Sequence, residues 1–121
     1  MIARVPARHS DPEFSVKSRS HAGVMVLGLA GSLTARNPRT LHRSLVAALT
    51  ASQPPLIIVD LESLHDLDAG GLAILLGATD HARACGGQLL VTGTAAGLPA
   101  RTELERRSTL TDALAELAAA A

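Results

Sequence analysis

The sequence has almost no aromatic side chains. Among its 121 residues Phe14 is the only Phe, Tyr or Trp. Stacking single-stranded nucleic acid requires aromatic faces, and sugar or small-molecule pockets usually draw on them too. Both readings are excluded, and the core has to be built from Leu, Val, Ile and Ala. Cysteine occurs once, as Cys85, which rules out an internal disulfide and a thiolate zinc set and points to a reducing compartment. Neither sign of charge is in excess: 11 Lys and Arg face 11 Asp and Glu, for a formal net charge of zero. Binding a phosphate backbone calls for a basic surplus, so nucleic acid is not an expected partner. No apolar run approaches the ~20 residues that span a bilayer. No apolar stretch follows the N-terminal arginines, so neither membrane insertion nor secretion is expected, and the reading places the protein in the cytoplasm.

What is present is a hydrophobic share of 47%, enough for one globular domain with a real core. Residues 1–12, with Arg4, Pro6, Arg8 and Pro12, read as a flexible basic arm, and residues 13–121 as a single domain. Phe14 and Val16 alternate with polar neighbours, and Val24 to Leu27 follows the turn-prone Ser20 to Gly23, which predicts an antiparallel hairpin. Gly28 and Gly31 read as bracketing a break. Asn37-Pro38 reads as a helix start, with Leu41, Leu45, Ala48 and Leu49 on one apolar stripe and Arg39 and Arg43 facing away. After Pro54-Pro55, the run Leu56 to Val59 has the continuous apolar character of a strand covered on both faces. Asp60 to Asp68 mixes acids with leucines and reads as an acidic loop. A second helix then runs to Cys85, closed by Gly86-Gly87, and Leu89 to Val91 forms another buried strand. Strands alternating with helices require crossovers and hence parallel pairing. The rest reads as helical, with Thr111 as cap of the last helix. The expected fold is therefore α/β: a mixed four- to five-stranded sheet, antiparallel at the N-terminal hairpin and otherwise largely parallel, packed with about four helices.

No enzyme signature emerges. The chain has no nucleophile elbow, phosphate loop or dinucleotide fingerprint, and Gly28 to Ser32 has the wrong glycine spacing for one. His65, Asp66 and Asp68 carry metal-ligand chemistry but crowd into one short segment, so the plainer reading is an acidic turn in which Asp68 caps the next helix. Cys85 lies at a helix C-terminus, where the dipole disfavours a thiolate, and reads as a small packing residue. No cofactor or metal is expected. His9, His21, His42 and His81 are scattered and read as solvated.

One constellation stands apart. Asp60-Leu61 ends a buried strand, and Asp68-Ala69-Gly70-Gly71-Leu72 opens an apolar helix, placing a helix N-terminus with free N–H groups at the end of a central strand. At these residues the chain resembles the STAS domain family, in particular the bacterial anti-sigma factor antagonists, over residues 14 to 117. Leu29-Ala30-Gly31-Ser32-Leu33-Thr34 is similar to the family's L-x-G-x-L-D, Asp68 to Leu72 to its D-S-S-G-L, and Thr111-Asp112-Ala113-Leu114 to its S-x-x-A-L-like last helix. The resemblance implies a STAS fold and a non-enzymatic partner-binding function. An antagonist of this family docks on an anti-sigma factor that is also a serine/threonine kinase, and phosphorylation of the hydroxyl residue just before the glycine switches binding off.

The chain departs from the family pattern at that point. Gly70 occupies the phosphoacceptor position, Ala69 precedes it, and Thr34 replaces the aspartate of the first motif. The resemblance then implies an antagonist-like protein, monomer or weak homodimer, that binds an anti-sigma factor or other regulatory protein through Asp68, Ala69, Gly70, Gly71, Leu72 and Thr34. The alternative is a degenerate STAS domain that senses a ligand or nucleotide, or serves in a stressosome-like or lipid-transport assembly. Ser32, Thr34 and Ser63 are alternative phosphoacceptors that would keep the switch but move it.

Overall fold

The computed structural model describes residues 8–10, 13–34, 38–99 and 102–120. Their order is β1 (Arg8–Ser10), β2 (Phe14–His21), β3 (Val24–Leu33), α1 (Pro38–Ala51), β4 (Leu56–Leu67), α2 (Ala69–Ala84), β5 (Gln88–Thr92), β6 (Arg106–Arg107) and α3 (Leu110–Ala120). The sheet keeps chain order across all six strands. Its first two pairings are antiparallel and its last three parallel. The expected mixed α/β architecture is therefore present, with two additions: β1 and β6 are short edge strands flanking the four longer ones. Arg8–Ser10, inside the stretch expected to be a flexible arm, pairs with β2.

The β2–β3 hairpin turns through Ala22 and Gly23, both at positive φ (52° and 82°), the combination that lets a two-residue turn follow the twist of the strands. Phe14 and Val16 point into the core, and Leu27, Leu29 and Leu33 continue that face on β3. The strand does not break at Gly28 and Gly31 as the sequence suggested; it runs on to Leu33. The expected cap of α1, Asn37, lies outside the described residues. The stripe of α1 is as expected, with Leu41, Leu45 and Ala48 buried, Leu49 half-buried and Arg39 and Arg43 exposed.

The largest departure from expectation is β4. Residues 60–67, expected to be a loop, extend the strand to twelve residues. In this stretch Leu61, Leu64 and Leu67 recur every third position, whereas a regular strand repeats every second. The conflict disappears because the β3–β4 ladder carries two irregularities. Gly28 pairs with Asp60 but Ala30 with Ser63, and Gly31 pairs with Leu64 but Ser32 with Asp66. Each inserts one extra β4 residue, as a β-bulge does, and all three leucines end up in the core beneath α1 and α2.

The two faces of the sheet are covered unequally. Helices α1 and α2 pack on the larger cluster, whereas α3 buries Ala113 and Leu117 against Val24, Val26, Leu56, Ile58 and Leu90 on the other side. Helix α2 ends as the sequence predicts: the Gly87 N–H donates to Ala82 O and the Gly86 N–H to Arg83 O, with Gly86 at φ 80°. The region after β5 corrects the reading. Residues 102–105 form no helix, β6 follows them, and the described chain has three helices where about four were expected. The cap of α3 is Thr109 and not Thr111, since the Asp112 N–H donates to Thr109 Oγ1 at 3.0 Å. Arg107 on β6 grips Glu116 on α3 with two hydrogen bonds of 2.6 and 2.8 Å. These bonds hold the Glu116 carboxyl below its ordinary range.

The bulged register has a direct test. Leu64→Ala removes a buried leucine and costs about 2–5 kcal/mol in urea unfolding. The exposed neighbour His65→Ala stays within about 0.5 kcal/mol. Similar losses for the two variants would contradict the register.

Candidate functional site

The end of β3 and the start of α2 are joined by two contacts, with the cap of α2 between them. The Asp68 N–H donates to Leu33 O at 3.1 Å. The Asp68 side chain turns back to accept from the Gly71 N–H at 2.9 Å, capping α2 from an extended backbone (φ −98°, ψ −178°). Gly71 itself lies so close to Leu33 that a Cβ would stand 2.8 Å from Leu33 Cγ and 3.2 Å from its carbonyl oxygen. A glycine here is a requirement of close approach. The lack of a side chain lets the first helical turn press on the strand end, and Leu33 O stays within reach of Asp68.

These contacts bring most of the sequence-predicted residues together. Thr34 directly follows Leu33, so it adjoins the Asp68–Gly71 turn, and Leu72 is half-buried beneath that turn. Ala69 and Gly70 are exposed while Gly71 is buried. Gly70 thus faces outward, in the second position of the helix. Two of the alternative hydroxyls lie elsewhere. Ser32 pairs with Asp66 inside the β3–β4 ladder, and Ser63 pairs with Ala30 beside Lys17 and Asp60 on the α3 side of the sheet. The expected acidic turn is absent as a turn: His65 and Asp66 belong to β4, and Asp68 acts as the cap.

A family model described as Mlab, STAS domain, matches residues 16–119. The chain belongs to the STAS domain family. No curated protein matches it by sequence. Among solved structures, it is similar to an anti-sigma factor antagonist from Mycobacterium paratuberculosis, with TM-score 0.73 and 24% identity over 89% of this chain and 97% of that one. It also resembles the anti-sigma factor antagonist SpoIIAA in its unphosphorylated form, with TM-score 0.63 and 14% identity over 84% of this chain and 94% of that one. A third likeness is to the murine anion transporter Slc26a9, with TM-score 0.54 and 17% identity over 63% of this chain but only 13% of the transporter chain. At these identities the likenesses concern the fold.

Sequence reasoning missed one wall of this STAS domain's site. Beyond β5 the chain returns to the end of β4, where the Leu67 N–H donates to Ala96 O at 2.9 Å and the Ala96 N–H to His65 O at 3.1 Å. Gly93 and Gly97, both at positive φ, bracket this return and were its visible signal. On the helix side, Ala69, Gly70, Ala73 and Gly77 are all exposed, giving the first half of α2 a smooth outer face of small residues that ends at the exposed Asp80 and His81. Next to that face, a groove of about 500 Å³ runs between α1 and α2, with Leu45, Val46, Leu49 and Ile74 among its lining residues. Among the described residues Val46 is the exposed large hydrophobic side chain, at 45%.

Two substitutions separate the cap from the close contact. Asp68→Ala removes the cap and lowers unfolding stability by about 1 kcal/mol. Gly71→Ala forces Leu33 aside and costs about 1–3 kcal/mol. A Gly71→Ala protein as stable as the parent, by chemical denaturation, would refute the tight packing at this junction.

Proposed function

We propose that this STAS domain is an anti-sigma factor antagonist-like regulatory protein of the cytoplasm. Its partner would be an anti-sigma factor of the serine/threonine kinase type. The Asp68–Gly71 turn, Leu72, Thr34 and the outer face of α2 would form the contact. The observation that carries this reading is the outward placement of Ala69 and Gly70 on a first turn held rigid by Asp68 and by the Leu33–Gly71 contact. A partner would meet a preorganised surface of small residues that lets its own backbone approach closely. The reading is non-enzymatic: the groups at this surface are a capping carboxylate already engaged with Gly71 N–H, the Thr34 hydroxyl, apolar side chains and glycine.

Under this reading the switch is missing its chemical handle. Neither Ala69 nor Gly70 has a hydroxyl to phosphorylate, so binding would be constitutive or set by abundance. A phosphoserine would bring about −1.5 to −2 charges into the contact. At the second position of a helix that charge sits at the positive end of the dipole, so it would change the interface and not unfold the helix.

A second reading has its own support. The matched family model is the Mlab STAS domain, and a domain of this fold occupies a small part of an anion transporter chain. Both favour a STAS domain that works as a subunit of a larger assembly, such as a lipid-transport complex.

Incubation with a candidate anti-sigma kinase and ATP tests the first reading. The parent protein should form a stable complex without taking up phosphate. Gly70→Ser should become phosphorylated and then bind at least about tenfold more weakly. Unchanged binding by the Gly70→Ser protein, once its phosphorylation at that position is confirmed, would reject the turn as the interface. Phosphate on Ser32, Thr34 or Ser63 of the parent would reject the claim of a missing switch. Failure to bind any such kinase, together with recovery in a membrane-associated complex, would favour the second reading.

A further inference from the structure

The ladder registers place Lys17 opposite Gly28, Gly28 opposite Asp60 and Asp60 opposite Thr92, one row across four strands. This row lies on the α3 side of the sheet, where α3 covers Val26, Ile58 and Leu90. Two residues further along each strand, on the same face, these apolar side chains give way to Gly28, Asp60 and Thr92. Beyond the reach of α3 the sheet thus changes from greasy to polar in a single step.

Asp60 is held in place but only half used. Its Oδ1 accepts from the Glu62 N–H at 3.1 Å and from the Thr92 hydroxyl at 3.2 Å, and among the described residues no hydrogen bond reaches its second oxygen. Lys17 and Arg19 are exposed, with no ion pair to either among the described residues. Gly28 is the unexplained residue. A Cβ there would meet only the Lys17 carbonyl at 3.7 Å, an ordinary contact, and its φ is not positive. Neither a turn nor tight packing requires glycine in this long central strand, where it weakens the sheet. Its missing side chain opens the floor of a hollow of about 270 Å³, lined by Ser15, Lys17, Ala30, Asp60 and Ser63 among others. A second hollow, of about 360 Å³, continues from Asp60 toward Thr92 and Thr109.

The geometry points to a binding site for a small zwitterion of the ω-amino acid class on this open part of the sheet. The ligand's carboxylate meets Lys17 and Arg19, its ammonium meets the open oxygen of Asp60, and its aliphatic chain lies over Gly28. Lys17 and Asp60 are two strands apart, about 10 Å between Cα atoms, and the flexible lysine stem closes part of that distance. The paired charges also select against simpler ligands, because Asp60 repels a plain anion and the two cations repel a plain amine.

Titration of the ¹⁵N-labelled full chain tests the site, with γ-aminobutyrate as the probe and butyrate and butylamine as single-charge controls. Saturable shifts of the Gly28, Asp60 and Thr92 amides are expected with γ-aminobutyrate and with neither control. Lys17→Ala, a change at an exposed residue, should weaken binding about tenfold. Gly28→Val should keep or raise the unfolding midpoint, since a β-branched residue suits a strand, while abolishing the shifts by filling the floor. No saturable shift, an equal response to either control, or parent-like binding by Lys17→Ala would overturn the proposal.

Discussion

The junction between β3, β4 and α2 depends on two extra residues in β4. Without them, leucines spaced three apart could not all face the same layer, and one of Leu61, Leu64 and Leu67 would have to point away from the core. Burying a leucine is worth about 1.5–3 kcal/mol, so a regular twelve-residue strand would forfeit one such contribution and expose the side chain as well. The bulged strand keeps all three inside and delivers Asp68 to the carbonyl of Leu33. Only from there can the Asp68 carboxylate cap α2 and Gly71 settle against the strand end. The rigid first turn of α2 is thus a consequence of how β4 meets β3 some residues earlier.

The same feature explains which parts of the fold were legible in the sequence. The hairpin, the strand at Leu56 to Val59, the buried stripe of α1 and the glycine closure of α2 each carry a local signal: alternation, an apolar run, a helical period, or a glycine at positive φ. These agree with the structure. The second half of β4 carries a misleading one, because acids and leucines at a spacing of three match neither a strand nor a helix. A bulge is a property of two paired strands, and one strand's sequence cannot display its partner's register. The misplaced cap of α3 has a similar origin. Thr109 and Thr111 both have capping chemistry, and the choice falls to the chain path through β6, which the Arg107–Glu116 pair ties to α3. At the candidate site, the cap by Asp68 was legible because capping is local. The need for glycine at Gly71 was not, because it is imposed by Leu33 from another strand.

The scarcity of aromatics takes on a more specific sense beside the structure. With Phe14 alone in the core, both layers close with aliphatic side chains, and α3 reaches only part of its face. A longer helix or bulkier residues could have covered Gly28 and Asp60, which stay half-buried beside the buried Thr92. That opening leaves two dissimilar surfaces on one small domain. One, around Ala69 and Gly70, is smooth, and its Asp68 carboxylate is engaged in capping α2; the other, around Lys17 and Asp60, is concave and carries both signs of charge. Different physical terms would govern recognition at each: shape and close backbone approach at the first, electrostatic complementarity at the second.

That division bears on how a charge switch works in this fold. A phosphate added at the start of α2 lands where the helix dipole and free N–H groups favour negative charge. The domain itself therefore has little reason to rearrange, and the cost of the phosphate falls on whatever is pressed against that turn. The affinity of the contact and the stability of the fold are separable at this position. Under the proposed reading, glycine at residue 70 withholds that charge change while leaving the cap at Asp68 and the Leu33–Gly71 packing intact. The geometry that presents the turn needs glycine at Gly71, whereas Gly70 is exposed, so on that reading residue 70 sets whether the surface can be switched.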